Sequence, residues 1–355
     1  MRKFQQIRER LKKENLDGFL FSSRASVEYL SGFRSTNAYC IATRDGSYLL
    51  TDSRYYHRAL EELKGWNVVK IEKDTLKFIK GFVKDLGLKK VGYEKDRVSC
   101  HFKERLRAKS ISWVGYEGFL KDLRAIKDKD EIERMRKGVE LSDRIYLNLL
   151  EFLRPGLTEL EVRAFLVHEF LKGGALGESF PAIVACGPAS AIPHWETSTN
   201  RLEHGKPLLI DMGLVWEGYC TDFTRTIFLG KADEEFKRVY TVVRDAHLFA
   251  LEEVKVGKRI GDVDRKAREY IQDKGFGDYF THSTGHGVGV EIHEFPRVYK
   301  DGPDAEVPIE EGMVFTIEPG IYLPGKFGVR LENMVLVEGG SGKPLSSVSL
   351  DLVEL

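Results

Sequence analysis

The sequence lacks three features that mark whole classes of protein: a disulfide framework, a membrane-spanning segment and a net charge. Only four cysteines occur among 355 residues, they are scattered, and no CxxC motif is present. This usage is typical of a reducing cytoplasm. No apolar run approaches the roughly 18 residues that a transmembrane helix needs. The 55 basic and 55 acidic residues cancel, so neither nucleic acid nor a membrane is expected as a partner.

The length and the pattern of the chain predict two folded domains. At about 100–200 residues per domain, the chain can form two cores. Short helices and strands alternate over residues 1–122, which predicts a small α/β domain with a hairpin turning at Asp45-Gly46. Of the 34 glycines, 23 lie in residues 173–355. Residues 123–355 therefore predict an α+β domain in which helices cover a curved, mostly antiparallel sheet.

The most informative segment reads PLLIDMGLVWEGYCTDFTRTIFLG. Two β-rich runs flank the tripeptide WEG, which predicts a hairpin. A turn centred between positions 216 and 217 would place Asp211 and Asp222 opposite each other, where like charges repel. If the register differs, both acids are ordinary exposed loop residues, and the sequence leaves that alternative open.

A second segment, FTIEPGIYLPGKFGVRLENMVLV, repeats the pattern. A turn centred on Gly325 makes Glu318 and Glu332 equidistant from it, so these acids are also expected to face each other. Four carboxylates flanked by Ile, Leu and Val are too costly to bury without compensating positive charge. Metal pairs about 3.5–4 Å apart provide such charge in many hydrolases, so the two hairpins together predict a dinuclear metal site.

The segment THSTGHGVGVEIHEFPRV supplies nitrogen ligands among closely spaced glycines. In an extended strand His282 and His286 share a face, whereas His293 falls on the other face unless a glycine bends the chain. One imidazole beside several carboxylates suits Mn, Co, Fe or Zn, whereas an all-oxygen site favours Mg or Ca. Phosphate binding by these glycines is a weaker alternative because no helix start follows. His194 lies on a proline-bounded loop, from which it can line the site.

These motifs resemble those of the pita-bread metallopeptidases, the M24-type family that includes prolidase, aminopeptidase P and methionine aminopeptidase. The motifs IDMG, TDFTRT, HSTGHGVGVEIHE, TIEPGIY and VRLEN occur in the order of the family. The resemblance covers essentially the whole chain. It implies a pita-bread catalytic domain over residues 123–355, preceded by a creatinase-like α/β domain over residues 1–122, in a cytoplasmic homodimer.

The resemblance also implies five ligands for two divalent metal ions, with manganese or cobalt favoured over iron or zinc. Asp222 and Glu332 would bridge both ions. Asp211 would bind one ion, and His286 with Glu318 would bind the other. The reaction implied is hydrolysis of Xaa-Pro peptide bonds by a hydroxide held between the two ions.

The same resemblance implies roles for the residues around the metals. His194 and His293 would face the substrate, and Glu318 would carry a proton to the leaving nitrogen. Three further side chains would support the ligands: His282, Tyr322 and Arg330. Arg297 lies where prolidase-like members carry an arginine that binds the carboxylate of a C-terminal proline. The alternative is that Arg297 is a solvated loop residue.

Three functions follow from this resemblance. An Xaa-Pro dipeptidase is favoured, with a proline-containing di- or oligopeptide as substrate. The alternative is an aminopeptidase P that releases the first residue of longer Xaa-Pro-Yaa peptides. Some pita-bread proteins have lost their metals and serve as binding modules, but all five ligands are present here, which favours an enzyme.

Overall fold

The computed structural model describes residues 2–355, which divide into two compact units. The first unit ends at Leu123 and the second runs from Arg124 to Leu355. This division lies one residue after the boundary expected from the sequence, within the short helix α6 (Lys121–Ala125). No helix in the described part of the chain is long and apolar enough to cross a bilayer.

The first unit is built on a mixed six-stranded sheet. Its strands are β1 (Gly18–Phe21), β2 (Ala38–Thr43), β3 (Ser47–Thr51), β4 (Asn67–Lys70), β5 (Lys90–Glu94) and β6 (Ser112–Tyr116), in the order β4-β3-β2-β1-β5-β6. Its other helices are α1 (Arg2–Lys13), α2 (Arg24–Ser31), α3 (Tyr56–Glu62), α4 (Thr75–Asp85) and α5 (Cys100–Leu106). Leu20 of β1 packs in one core with Ile79 of α4. The predicted hairpin is confirmed, since β2 and β3 pair on either side of Asp45-Gly46.

The second unit contains longer helices and short antiparallel strands. Its helices are α7 (Lys129–Phe152), α8 (Glu159–Lys172), α9 (Glu234–Glu253) and α10 (Ile260–Asp273), with short 3₁₀ helices at Gly187–Ala191 and Gly277–Tyr279. Its first strands are β7 (Ile183–Cys186), β8 (Lys206–Met212), β9 (Val215–Trp216), β10 (Tyr219–Cys220) and β11 (Phe223–Leu229). The later strands are β12 (Gly285–Gly287), β13 (Glu294–Val298), β14 (Val314–Ile317), β15 (Gly320–Leu323), β16 (Phe327–Arg330), β17 (Asn333–Glu338) and β18 (Ser341–Pro344).

Each pair of helices covers a different sheet of this unit. Ile145 of α7 and Leu166 of α8 share a core with Leu208 of β8, in the sheet ordered β11-β8-β7. Val243 of α9 shares a core with Val335 of β17, in the sheet ordered β13-β12-β14-β17-β18. The named strands of the unit pair antiparallel. The expectation of helices covering a mostly antiparallel sheet is therefore confirmed.

The first acidic hairpin has a different register from the one expected. Asp211 of β8 pairs with Thr224 of β11, so the predicted direct opposition of Asp211 and Asp222 is wrong by two residues. The turn lies at Glu217-Gly218, whose φ angles of 45° and 87° are both positive. Such a turn matches the twist of the flanking strands. Because an error of two residues preserves the side-chain alternation, Asp222 stays on the face that Asp211 occupies.

The second acidic hairpin has the predicted register. β15 and β16 pair symmetrically about Gly325, whose φ of +74° the turn requires. The same register continues into β14 and β17, where Ile317 pairs with Asn333. Glu318 and Glu332 are the next residues toward the turn, so they face each other between the two paired segments.

Candidate metal centre

The five expected ligands line one cavity of about 970 Å³ in the second unit. They come from strand ends on both sheets: Asp211, Asp222, His286, Glu318 and Glu332. Donor atoms of Asp222, His286 and Glu332 all lie within 4.8 Å of one another. The structure thus brings together every ligand expected from the sequence.

The imidazole of His286 presents a lone pair to two carboxylates. Its Nδ1 lies 3.1 Å from the Gly287 carbonyl oxygen, so Nδ1 carries the hydrogen and donates it there. Burial, with His293 nearby, lowers the pKa of His286 to about 4, which leaves the ring neutral at pH 7. Its Nε2 lies 3.5 Å from Asp222 Oδ2 and 3.4 Å from Glu318 Oε1. Three electron-rich atoms therefore face one another, an arrangement that a cation stabilises.

The buried acids of the cavity lack enough positive charge among the protein groups. Burial and the neighbouring carboxylates raise the pKa of Asp222 and of Glu332 well above their ordinary values. Burial also raises the pKa of Glu318 to about 8. A bound divalent cation would oppose each of these shifts, because it favours the ionised carboxylate.

Two carboxylates each use one oxygen and leave the other without a partner. Asp211 Oδ2 accepts a hydrogen bond from Arg330 Nη2 at 2.6 Å, and Glu332 Oε2 accepts one from the Thr224 hydroxyl at 2.6 Å. Asp211 Oδ1 and Glu332 Oε1 are buried and find no hydrogen-bond partner in residues 2–355. Buried acceptors are normally satisfied, so these oxygens require an explanation. Carboxylate oxygens beside one imidazole fit divalent Mn, Co, Fe or Zn.

A chain of hydrogen bonds holds the Arg330 guanidinium against the ligands. Arg330 Nη1 donates to the Tyr322 hydroxyl at 2.8 Å, and that hydroxyl lies 2.8 Å from His282 Nε2. His282 Nδ1 faces the Ser283 carbonyl oxygen at 2.8 Å, so it carries the hydrogen and Nε2 accepts from Tyr322. Burial lowers the pKa of His282 to about 3, which keeps it neutral. The chain orients Asp211 through Arg330.

The three residues expected to face the substrate also line the cavity. His293 lies beside His286, with ring centroids 4.3 Å apart, so the chain bends between them. A Cβ on Gly287 would lie 2.4 Å from the Phe295 carbonyl oxygen, so only glycine permits this bend. His194 and Arg297 are exposed at the cavity wall.

Sequence reasoning missed two threonines that fix the ligands. The Thr224 hydroxyl binds Glu332, as described above. Thr316 Oγ1 accepts from the His286 backbone N–H at 3.1 Å and donates to Glu318 Oε1 at 3.3 Å. Each threonine lies two residues from an acidic ligand, Asp222 or Glu318. The alternation of strand side chains could have identified both.

Family models match most of the chain. Residues 133–339 match metallopeptidase family M24, and residues 3–126 match the creatinase/prolidase N-terminal domain. The chain is 36% identical over 356 residues to an Xaa-Pro dipeptidase of Pyrococcus furiosus, covering 98% of this chain and 100% of that protein.

Solved structures superpose over nearly the full length. An Xaa-Pro dipeptidase from Bacillus anthracis has a TM-score of 0.95 at 32% identity, covering 100% of this chain and 99% of that one. An X-Pro aminopeptidase from Thermotoga maritima has a TM-score of 0.90 at 35% identity, covering 96% and 98%.

Proposed function

Because the chain belongs to metallopeptidase family M24, we propose that it hydrolyses Xaa-Pro dipeptides with the help of two divalent cations. The chain has the pita-bread catalytic domain of that family, preceded by a creatinase/prolidase N-terminal domain. One observation carries the proposal: five ligand side chains converge in a single cavity, where two buried carboxylate oxygens have no partner in the described part of the chain.

The ligand set divides between the two ions. Asp222 and Glu332 would bind both ions, Asp211 one ion, and His286 with Glu318 the other. We favour manganese or cobalt because carboxylates outnumber the single imidazole. When bound, such ions lower the pKa of a water molecule and polarise a substrate carbonyl.

The residues of the chain bind and orient the dipeptide. His194 and His293 line the same cavity as the acidic ligands and would donate hydrogen bonds to the scissile carbonyl oxygen. Burial and His194 lower the pKa of His293, so a ring nitrogen–hydrogen bond, rather than a full positive charge, is available at pH 7. A carboxylate oxygen of Glu318 would take a proton from the attacking water and return it to the proline nitrogen as that bond breaks.

Arg297 would recognise the free carboxylate of the C-terminal proline. Its side chain lines the cavity and is exposed, and its guanidinium forms no ion pair with any described residue. Its backbone N–H donates to Asp304 Oδ2 at 2.9 Å, which anchors the strand that carries it. A guanidinium binds a carboxylate through two parallel hydrogen bonds, so this residue would favour dipeptides over longer chains.

The experiment compares an Xaa-Pro dipeptide with an Xaa-Pro-Yaa tripeptide on the metal-loaded protein. Cleavage of the dipeptide by the wild type supports the proposal. In Arg297→Ala, activity on the dipeptide should fall more than activity on the tripeptide. Cleavage of the tripeptide alone would assign the protein to the aminopeptidases instead, like the X-Pro aminopeptidase from Thermotoga maritima. Equal losses on both peptides in Arg297→Ala would contradict carboxylate recognition.

We further propose a cytoplasmic homodimer. The four cysteines are free thiols, as a reducing compartment permits. Asp52, Arg54 and Tyr55 of the first unit resemble a segment that reaches a neighbouring active site in oligomeric relatives, and the Arg54 side chain is 66% exposed. Light scattering on the purified protein would measure the mass, and a monomer at micromolar concentration would contradict the dimer.

A further inference from the structure

A second cavity lies next to the cavity of the candidate metal centre. Its volume is about 630 Å³. Its wall includes Pro188, Ala189 and Ile192 and, as its charged residues, Arg201, Glu203 and Lys206. The charged residues carry one net positive charge. None of these six residues lines the first cavity, so the proposed reaction makes no use of this space.

Trp195 belongs to the walls of both cavities. Its backbone N–H donates to the Ile192 carbonyl oxygen at 3.1 Å, which closes a tight turn next to His194. Its ring packs against a buried apolar cluster that includes Ile183 and Tyr322. The indole therefore stands as a partition between the two spaces.

A fully buried carboxylate holds this partition in place. Glu159, which is 0% exposed, accepts a hydrogen bond from Trp195 Nε1 at 2.9 Å. The same oxygen accepts from the backbone and the hydroxyl of Ser198, at 3.0 and 2.9 Å. Its other oxygen accepts from the Cys186 backbone at 3.0 Å. Because one charged group ties the indole to two chain segments, the ring cannot swing aside without breaking a charge-assisted hydrogen bond.

We propose that Trp195 limits the length of the substrate by closing the active cavity toward the second cavity. This inference rests on the proposed function. The second cavity has room for a residue beyond the proline, and Arg201 and Lys206 in its wall would attract the terminal carboxylate of such a longer peptide. The indole stands in the wall that the two cavities share, so in this position it would block a peptide chain that extends from one space into the other.

The experiment measures kcat/KM for an Xaa-Pro dipeptide and an Xaa-Pro-Yaa tripeptide on metal-loaded wild type and variants. Trp195→Ala should raise the ratio of tripeptide to dipeptide about tenfold, since a steric barrier in the binding site is removed. Trp195→Phe keeps a ring and should leave the ratio near its wild-type value. Trp195→Leu provides a second smaller side chain if the alanine variant unfolds, and it should raise the ratio as well. An unchanged ratio in both smaller variants would overturn the proposal.

A second variant tests the occupant of the second cavity. In the Trp195→Ala background, Lys206→Glu should reverse much of the gain on the tripeptide, because it replaces an attraction for the terminal carboxylate with a repulsion. A gain that Lys206→Glu leaves intact would contradict the placement of the longer chain in this cavity.

Binding without cleavage separates this inference from the proposed function. Calorimetry in an Asp222→Asn background measures the affinity for both peptides directly. Trp195→Ala should strengthen tripeptide binding relative to dipeptide binding even there, and equal affinities before and after the substitution would refute the partition. A metal-loaded wild type that cleaves neither peptide would contradict only the proposed function.

Discussion

Two buried carboxylates, Glu94 in the first unit and Glu332 in the second, differ in how their oxygens are used. In the first unit, Glu94 is 5% exposed and accepts hydrogen bonds at one oxygen from the backbone of Ser22 and Ser23, at 2.8 and 3.0 Å, and at the other from the Ser26 hydroxyl. In the second unit, one oxygen of Glu332 has no partner within residues 2–355. Burial alone therefore does not mark a functional acid. A buried carboxylate oxygen without a donor points to one.

The largest expected effect comes from Asp222→Asn, which removes a charged ligand from the second unit. An amide binds a divalent cation more weakly than a carboxylate, so turnover of an Xaa-Pro dipeptide should fall by more than about a thousandfold, as expected when several kcal/mol of transition-state stabilisation are lost. Steady-state kinetics on metal-loaded protein measures this loss. Wild-type turnover in a folded Asp222→Asn protein would show that this acid is not a ligand.

A smaller effect is expected where the guanidinium holds a ligand. Arg330→Lys cannot donate to both Asp211 and Tyr322 in the same geometry. Metal affinity should fall about 10–100-fold, the usual range for groups that orient ligands. Calorimetric titration with Mn²⁺ measures this affinity. Tyr322→Phe removes the two hydrogen bonds of the hydroxyl group, with Arg330 and with His282, but leaves the bond from Arg330 to Asp211, so metal affinity should fall less. A larger loss of metal affinity in Tyr322→Phe than in Arg330→Lys would contradict this order.

The matched substitution in the first unit is Glu94→Gln. The amide oxygen can still accept from the backbone N–H groups of Ser22 and Ser23, but the negative charge that strengthens these bonds is lost and the amide NH2 must face the Ser26 hydroxyl. The free energy of unfolding should therefore fall by about 1–3 kcal/mol. Urea denaturation measures this change. The number of metal ions bound should stay at the wild-type value, and a loss of metal would show that the two units do not differ in the way described here.

The smallest effect is the dependence of stability on pH in the metal-free protein. The raised pKa values of Asp222, Glu318 and Glu332 mean that the folded state binds more protons than the unfolded state. The buried histidines have lowered pKa values and oppose this trend until the unfolded-state imidazoles have lost their protons, about one pH unit above the ordinary histidine pKa of 6.5. Stability should therefore fall as the pH rises from about 7.5 through the Glu318 pKa of about 8.

Thermal unfolding at several pH values checks this slope with and without Mn²⁺. Bound metal requires the ionised ligands and should stabilise the protein more at about pH 8.5 than at about pH 7.5. A metal-free protein that becomes more stable over this interval would contradict the raised pKa values.

The sequence predicted the second acidic hairpin because a single glycine, Gly325, fixes its centre. The predicted register of the first hairpin was wrong by two residues. Its turn uses a positive φ at Glu217, and glutamate rarely adopts such an angle, so the sequence did not indicate the position of the turn. The bend that returns His293 to His286 was left open, because glycines permit a bend without setting its direction.

Partners distant in sequence could not be predicted at all. Glu159 meets Trp195 across 36 residues, and no local pattern links the start of a helix to that loop. The threonines that orient the ligands could have been predicted, because each lies two residues from an acidic ligand along its strand and therefore on the same face. Local periodicity therefore predicted most of the fold and most of the ligand set. The remaining contacts depend on tertiary packing, which no local pattern indicates.

The most direct test is the metal content of the wild-type protein after loading with Mn²⁺ and removal of unbound ions. Elemental analysis should find two ions per chain in the wild type and fewer in Asp222→Asn, with both proteins folded by circular dichroism. A folded wild-type protein that retains no stoichiometric metal would contradict the assignment of the buried acids as a metal centre.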